Sequence, residues 1–307
     1  MSAAVGPAPC TMARAAMNDI FHDDFHEISE VSGGWDARLD LAFERRGART
    51  AMVRNAHRGP LVVQKALYPE GAAQCQAVIV HPPGGIAGGD RLKVGVAAGD
   101  GAEVLLTTPG ATRWYRSAGR PAEQHVHIQA GGNSIVEWLP LETIVFDGAD
   151  AQSRVTVDCA DDARVAGWEI VVFGRRAAGE SFRTGRFRQV IEIRRRGRML
   201  WAEYGEVCGG DPLFESPIGY AGHAVSGLLW LAAPPLKLEA FDVEAAAGLL
   251  LPDGMLAGVT LMPDGIMLAR CLGGSTEQVK DFLQQLWRHW RPRYAQRAAT
   301  APRLWAT

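Results

Sequence analysis

Acids set among apolar residues are the first candidates for chemistry in this 307-residue chain. Glu137, Glu142 and Asp147 frame the run EWLPLETIVFDG, and Glu180 follows Gly179 in GRRAAGE. A carboxylate in such a setting must be ion-paired, hydrogen-bonded or turned toward a wet cavity, because desolvating it alone is costly. Glu142 and Asp147 are candidates for a general acid and base. His125 and His127 stand two apart in a strand-like run, so both point to one face with Glu123 and Gln129. That face reads as a nickel, copper or zinc pair or as a solvated strand surface. Nearer the start, His22 and His26 flank Asp23, Asp24 and Glu27 at helical spacing, a possible divalent-metal set or a solvated tail.

The stretch HPPGGIAGGD, His81 to Asp90, is a shaped loop: Pro82 and Pro83 stiffen its entrance and four glycines free its backbone. It is neither a P-loop nor a dinucleotide fingerprint, since no Lys-Ser or Lys-Thr pair follows and a strand comes next. There is no GxSxG elbow, no HExxH and no cysteine with a sequence-local catalytic partner. The five cysteines are odd in number and far apart, without zinc spacing, as reduced cytosolic thiols are. Residue chemistry alone leaves a hydrolase or lyase open, using Glu142, Asp147 or the two histidines.

The elements that must position these groups are mainly strands. Short runs bounded by Gly, Pro and polar turns recur from Trp35 to Gly205. Many short strands without intervening helices exclude a doubly wound parallel fold and predict stacked sheets, a barrel or a β-solenoid. Two helices are expected late. One is the small, apolar run Tyr220 to Ala232. The other follows Ser275 and Gln278, a capping-box pattern, and places Val279, Phe282, Leu283, Leu286, Trp287 and Trp290 on one face before Pro292 ends it.

At 47% hydrophobic and 21% charged residues, the chain is that of an ordinary globular protein, with no linker dividing its middle. A net charge of −2 argues against general nucleic-acid binding. The arginines between Arg183 and Arg198 read as a solvated hairpin or as a face for an acidic protein. No apolar run reaches the roughly 20 residues that span a bilayer, and no export signal is evident, so the expected location is cytoplasmic with no membrane partner.

Five ordered motifs carry a resemblance: HPPGGIAGGD, TTPGATRWYRS (Thr107 to Ser117), EWLPLETIVFDGA (Glu137 to Ala149), GRRAAGE (Gly174 to Glu180) and PRLWAT (Pro302 to Thr307). Together they resemble the urease accessory protein D family (UreD, also called UreH), over about residues 34–307. The resemblance implies a mainly β, stacked-sheet and β-helix-like single domain with a few α-helices, the clearest near the C-terminus. Residues 1–33 fall outside it as a flexible extension. It also implies a non-enzymatic scaffold that binds apo-urease and couples it, through a helical UreF-type protein, to a nickel-carrying UreG-type GTPase. No cofactor would be permanently bound. Nickel would be in transit, through an internal channel.

Nickel is held tightly by nitrogen and sulfur donors, so a path that must release it should offer oxygen ligands. Within the matching motifs that selects Asp90, Glu142, Asp147 and Glu180, with His81 at the mouth of the first loop. Phe282 and Leu286 on the late helix are the candidate contacts for the helical partner.

Overall fold

The computed structural model describes residues 33–234, 249 and 251–306. The expected extension, with its His22 and His26 cluster, therefore lies outside the described residues apart from Gly33. The chain opens with an antiparallel hairpin, β1 (Asp36–Arg46) and β2 (Arg49–Arg58), followed by a second, β3 (Val62–Leu67) and β4 (Gln74–Val80). Short passes follow: β5 (Arg91–Ala98), β6 (Glu103–Thr107), β7 (Thr112–Trp114) and β8 (Ala122–Ala130). Next come β9 (Ile135–Trp138), β10 (Thr143–Val145), β11 (Asp150–Cys159) and β12 (Arg164–Phe173). A hairpin of β13 (Arg186–Arg195) and β14 (Arg198–Cys208) leads to β15 (Val225–Ala232), β16 (Leu256–Met262) and β17 (Ile266–Gly273). Helix α1 (Thr276–Ala295) closes the order, before a short terminal turn.

From β4 onward the chain shuttles between two sheets. A seven-stranded sheet runs β14-β13-β11-β8-β5-β1-β2, and a ten-stranded one runs β16-β17-β15-β12-β9-β6-β4-β3, with β7 and β10 attached beside β12. Successive passes lie parallel within each sheet, as in a stacked coil. Alternation explains the register. Leu39, Val94, Val126, Val155 and Ile191 stand opposite one another across five strands, and Leu41, Val96, Ile128, Val157 and Ile193 form the next rung. A slip by one residue would turn every one of these side chains to water. The ladders pack on the inner face of the other sheet, where Val104, Leu106, Val136, Trp138 and Trp230 are buried.

The outer face of the ten-stranded sheet carries a second core beneath α1, built from Trp168, Ile170, Leu229, Leu231 and the helix stripe. Ser275 caps the helix, accepting from Gln278 N at 3.2 Å. Pro292 does not end it. The helix runs one further turn and closes at Gln296, whose left-handed backbone (φ 55°) returns its N–H to the Pro292 carbonyl. The other expected helix is a correction: Val225–Ala232 is strand β15. Its residues are buried on both faces, Leu228 and Trp230 inward and Leu229 and Leu231 under α1, so it reads as an unbroken apolar run without the period of either element. Gly227 is needed there as a strand residue, because a Cβ would meet Val279 Cγ1 of the helix at 2.7 Å.

Each strand-like run expected between Trp35 and Gly205 has its strand. Val190, out of step with Ile191 and Ile193, faces outward opposite Arg154. Among the described residues no helix is long and apolar enough to cross a membrane.

Candidate functional site

Two of the quoted motifs interrupt the ten-stranded sheet at the same level. β6 and β7 are separated by Thr108-Pro109-Gly110-Ala111, and β9 and β10 by Leu139-Pro140-Leu141-Glu142. Proline lacks the N–H that a ladder position requires, so the strands part where Pro109 and Pro140 fall. Their neighbour β12 runs straight through. It pairs with β9 over Arg164–Gly167 and with β10 over Val171–Phe173, leaving Trp168, Glu169 and Ile170 unpaired on that edge. Trp168 turns outward and donates from Nε1 to the Pro140 carbonyl at 2.6 Å. Glu169 turns inward.

Glu169 is 6% exposed and accepts a hydrogen bond from Trp138 Nε1 at 3.1 Å. Burial raises its pKa to about 7, with the Trp138 hydrogen bond opposing in part, so near neutral pH it is shared between acid and carboxylate. It lines two cavities. One, of about 230 Å³, fills the break in the sheet and is bordered by His81, Thr108, Arg113 and Gln124. The other, of about 480 Å³, lies between the sheets toward β14 and β16 and is bordered by Gln189, Glu203, Tyr220, Ser226 and Arg270. Exposed Gly205, Glu206 and Leu256 mark its mouth. Glu203 is paired with Arg270 inside it.

His81 is the one residue among the five expected ligands that borders either cavity. Its Nε2 is buried without a hydrogen-bond partner. Burial lowers the imidazole pKa, the Asp90 charge offsetting part of that, so the ring is neutral and keeps a lone pair for a ligand.

The motif carboxylates hold loops instead. Asp90, 2% exposed, accepts from Trp35 N at 2.7 Å and Ala87 N at 2.8 Å, closing the glycine loop. Asp147 accepts from Arg183 N, Thr184 N and Thr184 Oγ1 at 2.8–3.0 Å and pairs with Arg116. Burial acts to raise its pKa, but those hydrogen bonds and the Arg116 charge hold it below the usual carboxylate range. Glu180 accepts from Asp147 N at 3.2 Å and from Arg175 Nη2 at 2.6 Å, and the Arg175 hydrogen bond lowers its pKa despite partial burial. Glu142 is half-buried, and its carbonyl takes Thr112 N, fixing the edge of the break. Asp147 Oδ1 takes all three loop donors and Oδ2 lies 3.5 Å from Arg116 Nη2, so this carboxylate is committed to holding its loop.

Three other groups of expected residues line neither cavity. Phe282 is 3% and Leu286 0% exposed, packed between α1 and the sheet, so this stripe is an internal face and not a docking surface, a correction that follows from the outer face of the sheet being apolar too. His125 and His127 lie on the outer face of the seven-stranded sheet, bonded to Thr156 and Asp158 at 2.9 Å. Burial, with the charges of His127 and Arg154, pushes His125 down to about 4. Among the described residues no three His, Cys, Asp or Glu converge on a metal position. The arginine cluster is largely neutralised, with Arg186, Arg188, Arg194, Arg196 and Arg198 paired to Asp150, Glu206, Glu192, Asp161 and Asp264. Cys75, Cys159 and Cys271 are buried free thiols, and Cys208 is exposed.

Glu169 was missed in the sequence although GWEIVVF shows the same lone acid in an apolar run as the motifs do.

A family model described as UreD urease accessory protein matches residues 36–306. A urease accessory protein UreD from Dechloromonas aromatica is 46% identical over 279 residues, covering 91% of this chain and 96% of that protein. The UreD of Azoarcus sp. is 46% identical over 288 residues, and that of Pseudomonas aeruginosa 42% over 273, covering 92% and 89% of this chain and 98% and 95% of the relatives. The chain belongs to the UreD family of urease accessory proteins, a family of urease maturation.

Proposed function

We propose that this chain is a non-enzymatic cytoplasmic scaffold that binds apo-urease, is joined through a UreF-type helical protein to a UreG-type GTPase, and passes nickel through the space between its sheets. The observation that carries the reading is Glu169, a buried, sparsely bonded carboxylate bordering both inter-sheet cavities.

Donor chemistry supports transit over storage. A single carboxylate, with neutral His81 on one side and Glu203 on the other, offers few ligands for any one ion position, so each well is shallow. A proton shared by Glu169 near pH 7 is readily displaced by an entering cation, and its return helps the cation leave. The path proposed from the motifs moves accordingly, from Asp90, Glu142, Asp147 and Glu180 to Glu169, keeping His81. The motif acids retain a part, since their loops hold open the break.

The test is nickel content of urease from cells under limiting nickel that co-express the subunits, the helical protein, the GTPase and either wild-type chain or Glu169→Ala. Nickel per urease is expected to fall several-fold with the variant while the complexes still co-purify. Full nickel loading with Glu169→Ala would remove the passage from the reading, and full loading without this chain would remove the scaffold as well.

A further inference from the structure

The strand orders of the two sheets end on β2, β14, β3 and β16, and three of these ends are blunted. β2 carries Arg49, Arg54 and Arg58, and its register against β1 shifts between Ala42 and Phe43. β3 carries Lys65 beside an irregularity between Val63 and Ala66, and β14 carries Arg198, Glu203 and Glu206. Such charges and bulges keep an open edge from pairing with another chain, because a charged side chain would lose its water against a second strand. β16 has neither device. Its seven residues, LAGVTLM, are uncharged and pair with β17 in unbroken register from Leu256 to Met262.

The strand is also open to solvent. Leu256 is 51% exposed, and Ala257, Gly258 and Thr260 are exposed with it. A Cβ added to Gly258 would meet nothing within 4 Å. On the side away from β17 no strand lies beside it among the described residues, so that edge presents a row of backbone N–H and C=O groups to water. Asp264, just past the strand, is neutralised by Arg198.

The order of its residues selects the occupant. Turned about a two-fold axis at Val259, a second β16 lies antiparallel with Val259 opposite Val259, Ala257 opposite Leu261, Gly258 opposite Thr260 and Leu256 opposite Met262. No pair opposes like charges, and the small residues Ala257 and Gly258 leave room for Leu261 and Thr260. Val259 and Leu261 already pack against the core beneath α1, so their pairs carry that core across the axis. Such pairing uses up both uncharged edges and leaves only charged ones, which stops growth at two copies.

We infer that the free chain pairs with a second copy of itself through β16, joining the two ten-stranded sheets across a two-fold axis. A contact built on one short strand belongs with interfaces under about 1,200 Å², so the dimer is reversible, at concentrations on the order of micromolar. The inference uses no partner from the maturation reading and can fail without it.

Sedimentation equilibrium of the purified full chain, from about 1 to 100 µM, should show monomer passing to dimer. Gly258→Lys with Thr260→Lys sets lysines opposite one another on both sides of the axis and should weaken the dimer about tenfold or more. Gly258→Glu with Thr260→Glu should do the same alone, whereas an equal mixture of the two variants should dimerise at least as tightly as wild type. Melting temperatures of both variants should stay near that of wild type, since the two positions are exposed. Recovery in the mixture assigns the contact to β16 itself. A wild-type chain that stays monomeric throughout overturns the inference, even if the lysine variant loses affinity for some other protein. So does a dimer that the lysine variant leaves intact, or a mixture that fails to associate.

Discussion

Glu137 and Glu169 belong to adjacent strands of one sheet and are buried to nearly the same degree, yet the protein surrounds them in opposite ways. Glu137, on the outer face, accepts from Trp287 Nε1, Tyr294 Oη and Arg291 Nε on one oxygen and from Gln74 Nε2 and Arg291 Nη2 on the other, at 2.6–3.0 Å. Arg291 in turn reaches Glu70 at 2.7 Å, and these two carboxylates outweigh burial to raise its pKa. Glu169, on the inner face, has Trp138 and two cavities. The difference separates a structural acid from a functional one. Full satisfaction fixes a carboxylate as an ion-pair partner that pins α1 to the sheet, whereas partial satisfaction beside open space leaves it ready for a proton or a cation.

The sharpest way to break the comparison is Glu137→Ala. Removing the acid leaves Arg291 with Glu70 and the Ala298 carbonyl and strands the Trp287 and Tyr294 donors in the core, so unfolding free energy should drop by about 3–5 kcal/mol. Denaturant melts read this directly, and a loss below about 1 kcal/mol would mean that the network does not hold the helix. Glu169→Gln should act with the reverse sign and depend on pH. A carboxyl whose folded pKa is raised makes the native state bind more protons than the unfolded one between the two values. Stability therefore falls as pH climbs from about 4.5 through about 7. With a shift from 4.5 to about 7, the full penalty is about 3 kcal/mol above pH 7. Glutamine escapes it, so the variant should gain on wild type at pH 8 and lose that advantage near pH 4.5. An advantage that does not change with pH would show Glu169 to be as well compensated as Glu137.

Most of the first region was legible in the sequence, and half of the second. Strands from Trp35 to Gly205 announce themselves because one face alternates with the other and Gly or Pro marks each turn. The capping serine and apolar stripe disclose α1 for the same local reason. β15 was hidden because both its faces are buried, and Phe282 and Leu286 misled because an apolar stripe does not say whether its cover is the parent sheet or a partner. The glycine and proline loops that open the sheet were visible as motifs. The acid at the centre of the opening was not, since Glu169 enters from β12, about thirty residues past the Pro140 break, and only strand register brings it there.

Asp147 places a third acid between these extremes and predicts the smallest effect. Like Glu137 it has several donors, but they come from backbone and hydroxyl groups of a surface loop, where water replaces them at modest cost. Asp147→Ala should therefore lower stability by about 1–2 kcal/mol at neutral pH, in the range of a lost capping residue. Its folded pKa is depressed, so the contribution is complete above the unfolded carboxyl value and disappears as pH falls through the folded one. Wild type and variant should converge as acid is added, whereas the Glu169 pair separates as base is added. Melts of both pairs from pH 3 to pH 8 test that crossing pattern. Parallel curves for Asp147 would show that its oxygens matter as loop geometry and not as charge, and a loss as large as that of Glu137→Ala would place this loop within the rigid frame rather than at its edge.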